Sequence, residues 1–381
     1  MSNILIQARV HKFLFTADIK QMYRQIQIHA TDREYLRILW RFEPDSPIQE
    51  YRQCTVTYGT CCPPHQALRT MQYLATIDES RFPIAAKVLK NDMFVDDILT
   101  EAQSEEDTLL CQQQVIALCA QGKFQLRKWA SNLPSILQAV PTSECSMDPA
   151  VLFDDEGQAI LKILGMYWNP TQDYFSYNYH SPSLTTTKRS VLSDMARIFD
   201  PLGFLAPVTF LAKYVMQLLW TSGIGWDDLI PKQILTIWKR YQQELKGIQA
   251  VTVPRRITLD GRPTYELHTF SDSTEKGYAA VVYLRCISGS TIQCHLITAK
   301  SKVAPLKHVT IPRLELRGAL LAAKLLHSVH HIFASIIPIT TMHAWTDSTT
   351  ALAWIKSSPH RWATFVANRT SQLQELTPPS I

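Results

Sequence analysis

The residues that carry most chemistry in this chain are acids, and they fall in two groups. Asp96 and Asp97 are adjacent, between the apolar runs Met93-Phe94-Val95 and Ile98-Leu99. A buried strand excludes unpaired charge. The pair therefore reads as the tip of a strand–turn–strand, aimed where a metal or a nucleic-acid end can reach it. A solvated Asp-Asp turn is the other reading, since aspartate forms turns readily. Upstream, Asp18 closes an alternating run that starts at Phe13. It offers either a carboxylate for a divalent cation beside a sheet or an N-cap for the turn that follows. Downstream, Asp272 ends a strand, Glu315 sits in the first turn of a long helix, and Asp347 ends a further strand. If those elements are neighbours, the three acids converge at one sheet edge and repel one another unless a cation compensates them. Mg²⁺ suits such oxygen ligands. Two ions roughly 3.5–4 Å apart can activate water and stabilise the leaving oxygen of a phosphodiester. Glu315 taken alone is also what a helix N-terminus favours.

The elements that must position these acids can be read from periodicity. Strand patterns occupy 13–18 and, around a proline-containing turn, 34–57. Tyr58-Gly59-Thr60-Cys61-Cys62-Pro63-Pro64 is a rigid bend, suited to receive a base or a phosphate and equally to an ordinary loop. It feeds a helix over 65–75 with Ala67, Leu68, Met71 and Leu74 on one face. After the Asp pair, Ser104-Glu105-Glu106-Asp107 opens a helix that Gly122 ends. Lys123, Arg127 and Lys128 then interleave with Phe124 and Trp129, as in a backbone-binding strip or a half-exposed edge strand. Residues 141–156 read as loop, 160–168 as a strand, and 185–248 as mostly helical with breaks at 200–203 and 223–225. That middle region shows no chemistry and reads as a connector. Strands follow at 264–272, 277–284 and 291–299. A helix over 312–332 carries Leu314, Leu321, Leu325 and Leu326 inward. A strand at 337–346 and a helix at 348–356 complete the pattern of one compact α/β unit.

Composition sets the class. The 381 residues are 46% hydrophobic and 19% charged, with a net charge of +5, which describes a folded protein of two or three domains. The mild positive charge permits a nucleic-acid partner without demanding one. Eight cysteines are scattered without CxxC or zinc-ligand spacing. Cys61-Cys62 reads as a packed pair, and the set as reduced intracellular thiols. No apolar run is long enough for a bilayer, and the N-terminus lacks a signal-peptide pattern.

The words around the acids carry a resemblance. TFSDS (269–273), IPRLEL (311–316) and WTDS (345–348) resemble ribonuclease H. FTADIKQMYRQI, YGTCCPPHQALRTM, FVDDIL, GKFQLRKWASN, LGMYW and FDPLGFLAPV resemble a reverse transcriptase palm and its connector. Together, in this order and over nearly the whole chain, they resemble the BEL/Pao class of LTR retrotransposon polyproteins.

The resemblance implies an α+β multidomain fold: a palm with an antiparallel sheet and helices over 1–135, a mostly helical thumb and connector over 136–255, and a ribonuclease H-like α/β domain with a mixed sheet over 256–381. It implies RNA-directed DNA polymerase and ribonuclease H activities using two Mg²⁺ per site, with Mn²⁺ as the alternative ion. Asp18, Asp96 and Asp97 match the palm's catalytic, metal-holding acids, Asp18 and Asp96 foremost as direct ligands. Tyr23 matches the aromatic that screens the sugar 2′-position. Gly59 and Pro64 match the bend before the template-side helix, and Leu164-Gly165 the segment that steadies the primer. Asp272, Glu315 and Asp347 match three of four ribonuclease H acids. The implied partners are an RNA template, a DNA primer, an RNA–DNA hybrid, deoxynucleoside triphosphates and other polyprotein segments, with no membrane. The implied location is a cytoplasmic retroelement particle and the nucleus.

Departures from the family pattern stand beside this. The fingers are largely missing before Asp18, and the fourth ribonuclease H acid is expected beyond Ile381. His65 replaces an aromatic, Pro63 a small polar residue and Phe94 a tyrosine. No protease or integrase signature is present. A slice truncated at both ends is expected. The competing expectations are a catalytically impaired nucleic-acid-binding remnant and an unrelated protein on a borrowed ribonuclease H-like scaffold.

Overall fold

The computed structural model describes residues 1–146, 152–153, 159–181, 183 and 185–377. It is a mixed α+β protein whose chain forms two compact units. One comprises residues 11–164 and 169–173 with Met1; the other comprises 2–10, 165–168 and 174–381.

In the first unit a four-stranded antiparallel sheet is ordered Met93–Phe94, Asp97–Ala102, Phe13–Ile19, Leu126–Ser131. Phe13–Ile19 is central, and its register sets Thr16 opposite Leu99 and Asp18 opposite Asp97. Leu14, Phe15, Ala17 and Ile19 are buried on this strand, because a strand covered on both faces reads as an apolar run. Helices Pro63–Ile77, Pro83–Asn91 and Glu105–Gln121 supply the rest of the core. The first has prolines in its opening turn, where a missing N–H costs nothing, so Pro63 and Pro64 belong to the helix rather than to the bend. The third is capped by Ser104 Oγ, which accepts from Asp107 N at 3.1 Å, with an acidic first turn. The helix at Pro83–Asn91, with Ala85, Ala86, Val88 and Leu89 buried, was not legible beforehand. Trp129 lies 5.7 Å from Phe15, ring to ring, at 1% exposure. Removing a ring of that size from a core costs about 3–5 kcal/mol. Arg37–Trp40 and Gln49–Arg52 pair as a separate hairpin, as the 34–57 pattern predicts.

The second unit is built on a four-stranded sheet ordered Thr291–Val303, Gly277–Ser288, Thr264–Thr274, Ile339–Trp345. The first three strands are antiparallel, while Ile339–Trp345 runs parallel to Thr264–Thr274. A parallel neighbour requires a crossover, and the helix Ile311–Phe333 is that crossover. Its Leu314, Leu316, Leu321, Leu326 and Phe333 are buried. Helices Thr349–Ile355 and Thr364–Leu376 pack beside it around Ala351, Val366 and Leu373. The connector region forms helices Lys188–Ala196, Ala206–Thr221 and Lys232–Glu244, broken where glycine and proline predict.

Residues Ser2–Val10 are pinned into this unit by Arg9, which is 1% exposed. Its guanidinium donates to the carbonyls of Leu296 at 2.7 Å, Arg255 at 3.1 Å and Pro254 at 3.2 Å. Three of its five N–H donors are paired in this way, which offsets part of the cost of burying the cation.

Two expectations are corrected. The strand expected over 160–168 is interrupted, with segments Ala159–Ile163 and Met166–Asn169. Leu164 (φ 45°) and Gly165 (φ 85°) adopt the left-handed region, which ends a strand. The expected 141–156 loop contains a 3-10 turn, Thr142–Glu144, and a short strand, Leu152–Phe153; its residues 147–151 and 154–156 lie outside the described residues.

Candidate active sites

The first acid group sits on the hairpin Met93–Phe94/Asp97–Ala102, in which Phe94 pairs with Asp97 and Met93 with Ile98. Val95 takes φ 59° at the tip, a genuine outlier for a β-branched residue. Strain of this kind persists only where the surroundings impose it, and it clusters at functional sites. Asp96 O accepts from Ile19 N at 2.9 Å, tying the tip to the central strand. Asp18 is not an N-cap: the following short helix Met22–Gln25 is preceded by Gln21, and no side chain caps it.

Charge links the three carboxyls. Burial pushes the Asp97 carboxyl up to about 6, with the charges of Asp96 and Asp18 adding to the shift. Asp96 is also raised, chiefly by burial and further by Asp18. Asp18 itself has cationic neighbours. Arg127 Nε donates to its Oδ1 at 2.9 Å, and Lys128 Nζ lies 3.7 Å from its Oδ2. Two residues of the basic strip thus serve Asp18 from the edge strand, while Lys123 is exposed before that strand begins. Tyr23 is buried with its ring 4.9 Å from that of Tyr58. Its hydroxyl is raised by burial and then by the charge of Asp96. Gly59 is exposed at φ 86°.

The second acid group is tighter. Asp272, Glu315 and Asp347 each offer a carboxylate oxygen, and these atoms lie within 4.8 Å of one another. Among the described residues they form the sole group of three such ligands, so Asp18, Asp96 and Asp97 are not gathered to the same degree. Asp272 is near the end of the central strand and Asp347 follows its parallel neighbour, so the sheet brings both to one edge. Glu315 is buried at 6% exposure, and its Oε2 has no hydrogen-bond partner. The Ser271 hydroxyl is likewise buried without a partner. Burial raises the Glu315 carboxyl; hydrogen bonds from Ser273 hold it down in part, and the charges of Asp347 and Asp272 raise it further. An orphaned buried oxygen among three carboxylates is costly and fits a hard divalent cation.

Both aspartates line a cleft of about 830 Å³ whose walls include Phe204, Pro207, Phe210, Phe270 and Trp345. Phe270 and Trp345 stack at 6.2 Å and 13°. Sequence reasoning found no chemistry in the connector, yet FDPLGFLAPV supplies part of this wall. Its glycine was the available signal. Gly203 has φ 80°, and any Cβ there would collide with the Ala299 carbonyl. Gly165 is similar: at φ 85° it is covered by the Phe199 ring, which a Cβ would strike. Its missing side chain is thus used in packing.

Residues 187–348 match the family model described as the Pao retrotransposon-like RNaseH-like domain. No curated protein matches the chain. The fold is similar to the structure of a foamy viral protease-reverse transcriptase dRH in complex with double-stranded DNA (14% identity, TM-score 0.55). That likeness covers 99% of this chain and 58% of that one. It is also similar to a foamy viral protease-reverse transcriptase in complex with an RNA/DNA hybrid, at 13% identity and TM-score 0.56, covering 99% and 44% of the two chains. The chain thus spans little more than half the length of the first and less than half of the second. No helix among the described residues is long and apolar enough to cross a membrane. The matched stretch, 187–348, contains Asp272, Glu315 and Asp347 and is similar to a Pao retrotransposon-like RNaseH-like domain.

Proposed function

We propose that the second unit is a ribonuclease H that cleaves the RNA strand of an RNA–DNA hybrid, with Asp272, Glu315 and Asp347 holding Mg²⁺. The observation that carries this reading is the convergence of the three carboxylates within 4.8 Å around a buried, unpartnered Glu315 oxygen. When bound, paired divalent ions supply an activated water and charge stabilisation for the leaving oxygen. The chain's own part is to hold the acids rigidly. Asp272 and Asp347 are set by the sheet, and Glu315 by the crossover helix packed on it. The aromatic wall of the cleft narrows access to them. Mn²⁺ suits the same ligand set.

The first unit is read as the matching polymerase palm. Asp18, Asp96 and Asp97 would act on the primer 3′-end and the deoxynucleoside triphosphate, and Tyr23, beside Asp96, would screen the sugar. Lys123, Arg127, Lys128, Gly59 and Pro64 are proposed along this unit's template path, and Gly165, which belongs to the second unit, is proposed separately as a primer-steadying position. The ion pairs of Asp18 with Arg127 and Lys128 favour a second reading for this unit, a nucleic-acid-binding remnant whose acid is already neutralised. Other polyprotein segments are proposed partners, and a cytoplasmic retroelement particle and the nucleus the proposed sites of action.

Two assays on the purified chain test these readings. With Mg²⁺, cleavage of a labelled RNA–DNA hybrid is expected, and Asp272→Asn should abolish it; equal cleavage by the variant overturns the assignment. Primer extension on an RNA template, lost in Asp96→Asn/Asp97→Asn, supports the polymerase reading. Extension indistinguishable from that control supports the remnant.

A further inference from the structure

Away from the acids, three arginines surround one phenylalanine. The guanidinium carbons of Arg313, Arg317 and Arg369 lie 5.1, 5.4 and 3.7 Å from the centre of the Phe365 ring. Arg313 and Arg317 are four residues apart on the helix Ile311–Phe333, hence on one face. Arg369 and Phe365 stand in the same relation on the neighbouring helix Thr364–Leu376.

Like charges converge here without a counter-charge. Among the described residues none of the three arginines forms an ion pair. Arg369 Nη1 donates to the Phe365 carbonyl at 2.8 Å, and Arg317 Nε is buried with no acceptor. The Arg369 guanidinium is held below its ordinary value, by burial first and by Arg317 second. A ring quadrupole attracts each cation but does nothing about their mutual repulsion. Packing alone therefore explains the phenylalanine better than the triple charge. Planar guanidiniums with free donors match phosphate oxygens in a way lysines do not.

We propose that Arg313, Arg317 and Arg369 form a binding site for backbone phosphate of a nucleic-acid duplex. This inference rests on the ribonuclease H reading of the neighbouring acids, which it deepens by saying how the duplex is held. Arg313 and Arg317 flank Glu315 on the same helix at two residues either side, a spacing that places them on the opposite side from the acid. The two sites are thus separated by about one helix width, roughly 10 Å. That is a few nucleotides along a strand at about 3.4 Å of axis each. A duplex held by the arginines reaches the acids around the N-terminal end of this helix, since Arg313, Glu315 and Arg317 all lie within its first two turns. The site positions the duplex without reading its sequence.

The test is binding of a short fluorescein-labelled RNA–DNA hybrid to the full chain in EDTA, by anisotropy, between about 50 and 200 mM salt. Arg313→Gln and Arg317→Gln should each weaken binding and lower the log–log salt slope by about 1 per lost phosphate contact. Lys239→Gln, a charge-matched change at an exposed position of the helix Lys232–Glu244, should leave the slope unchanged. Arg313→Lys and Arg317→Lys keep the charge, so they should restore the slope and guard against a folding defect. Slopes of the glutamine variants equal to that of Lys239→Gln overturn the proposal, as does a wild-type chain that fails to bind the hybrid. Failure of the catalytic reading looks different: no cleavage in Mg²⁺, with the arginine-dependent slope intact.

Discussion

Arg127 Nε donates to Asp18 Oδ1 at 2.9 Å across adjacent antiparallel strands, in register. Arg127 is half-exposed and Asp18 mostly covered, so the pair is worth about 0.5–1 kcal/mol rather than the figure for a buried bridge. A double-mutant cycle with Asp18→Asn and Arg127→Gln, read by urea unfolding, should return a coupling of that size. Repeating the cycle with Mg²⁺ should shrink the coupling if the ion takes Asp18 from the arginine. An unchanged coupling favours the remnant reading of this unit.

Glu315 is the buried member of the second acid group, and the charges of Asp347 and Asp272 act on it. The three carboxylates have oxygens within 4.8 Å of one another, and unit charges about 4 Å apart repel by roughly 1–4 kcal/mol per pair across the range between water and a protein surface. In EDTA, Glu315→Gln should therefore melt above the wild-type chain. Adding Mg²⁺ should reverse the order, because an ion bound only by the folded state adds about 2.7 kcal/mol at a hundred times its dissociation constant. Calorimetric scans of both proteins with and without Mg²⁺ check this. A wild-type melting temperature indifferent to Mg²⁺ argues against a metal site there.

Gly203 and Gly59 share a left-handed backbone but differ in what surrounds them. Gly59→Ala should cost about 1–2 kcal/mol, the strain of an L-residue in that region alone, since nothing lies within 4 Å. Gly203→Ala adds a collision with the Ala299 carbonyl and should cost more than about 3 kcal/mol. Thermal denaturation of the two variants compares them directly. Equal losses would mean that the backbone at Gly203 does not press on the Ala299 carbonyl.

His295 gives the second unit an acid limit. Its imidazole is held below the ordinary 6.5, by burial first and then by Arg9. The folded state thus disfavours the charged ring, and the unfolded state binds the proton first. Stability from this group is full above about pH 6.5 and declines as pH falls below it. His295→Gln should flatten stability between about pH 6.5 and 5 relative to wild type. Urea midpoints at several pH values read the difference.

Local signals settled much of this protein from the sequence alone. The positions of Asp18, Asp272 and Asp347 near strand ends, and of Asp96 at a hairpin tip, follow from local pattern, because a carboxylate beside an apolar run breaks its periodicity. Ser104 and Gly122 mark a helix through capping chemistry that needs no tertiary partner. What stayed hidden depends on contacts between distant residues. The Arg127–Asp18 pair requires the edge strand to lie beside the central one. The Phe204 and Phe210 wall requires the connector helix to meet the sheet. The arginines around Phe365 come from two helices, of which the second, Thr364–Leu376, was not anticipated. Strand ends and caps are written in neighbouring residues, whereas charge partners and cleft walls arise only when the chain folds back on itself. Only the tertiary structure distinguishes the acids of the first unit, neutralised in part by arginine and lysine, from those of the second, which have one another.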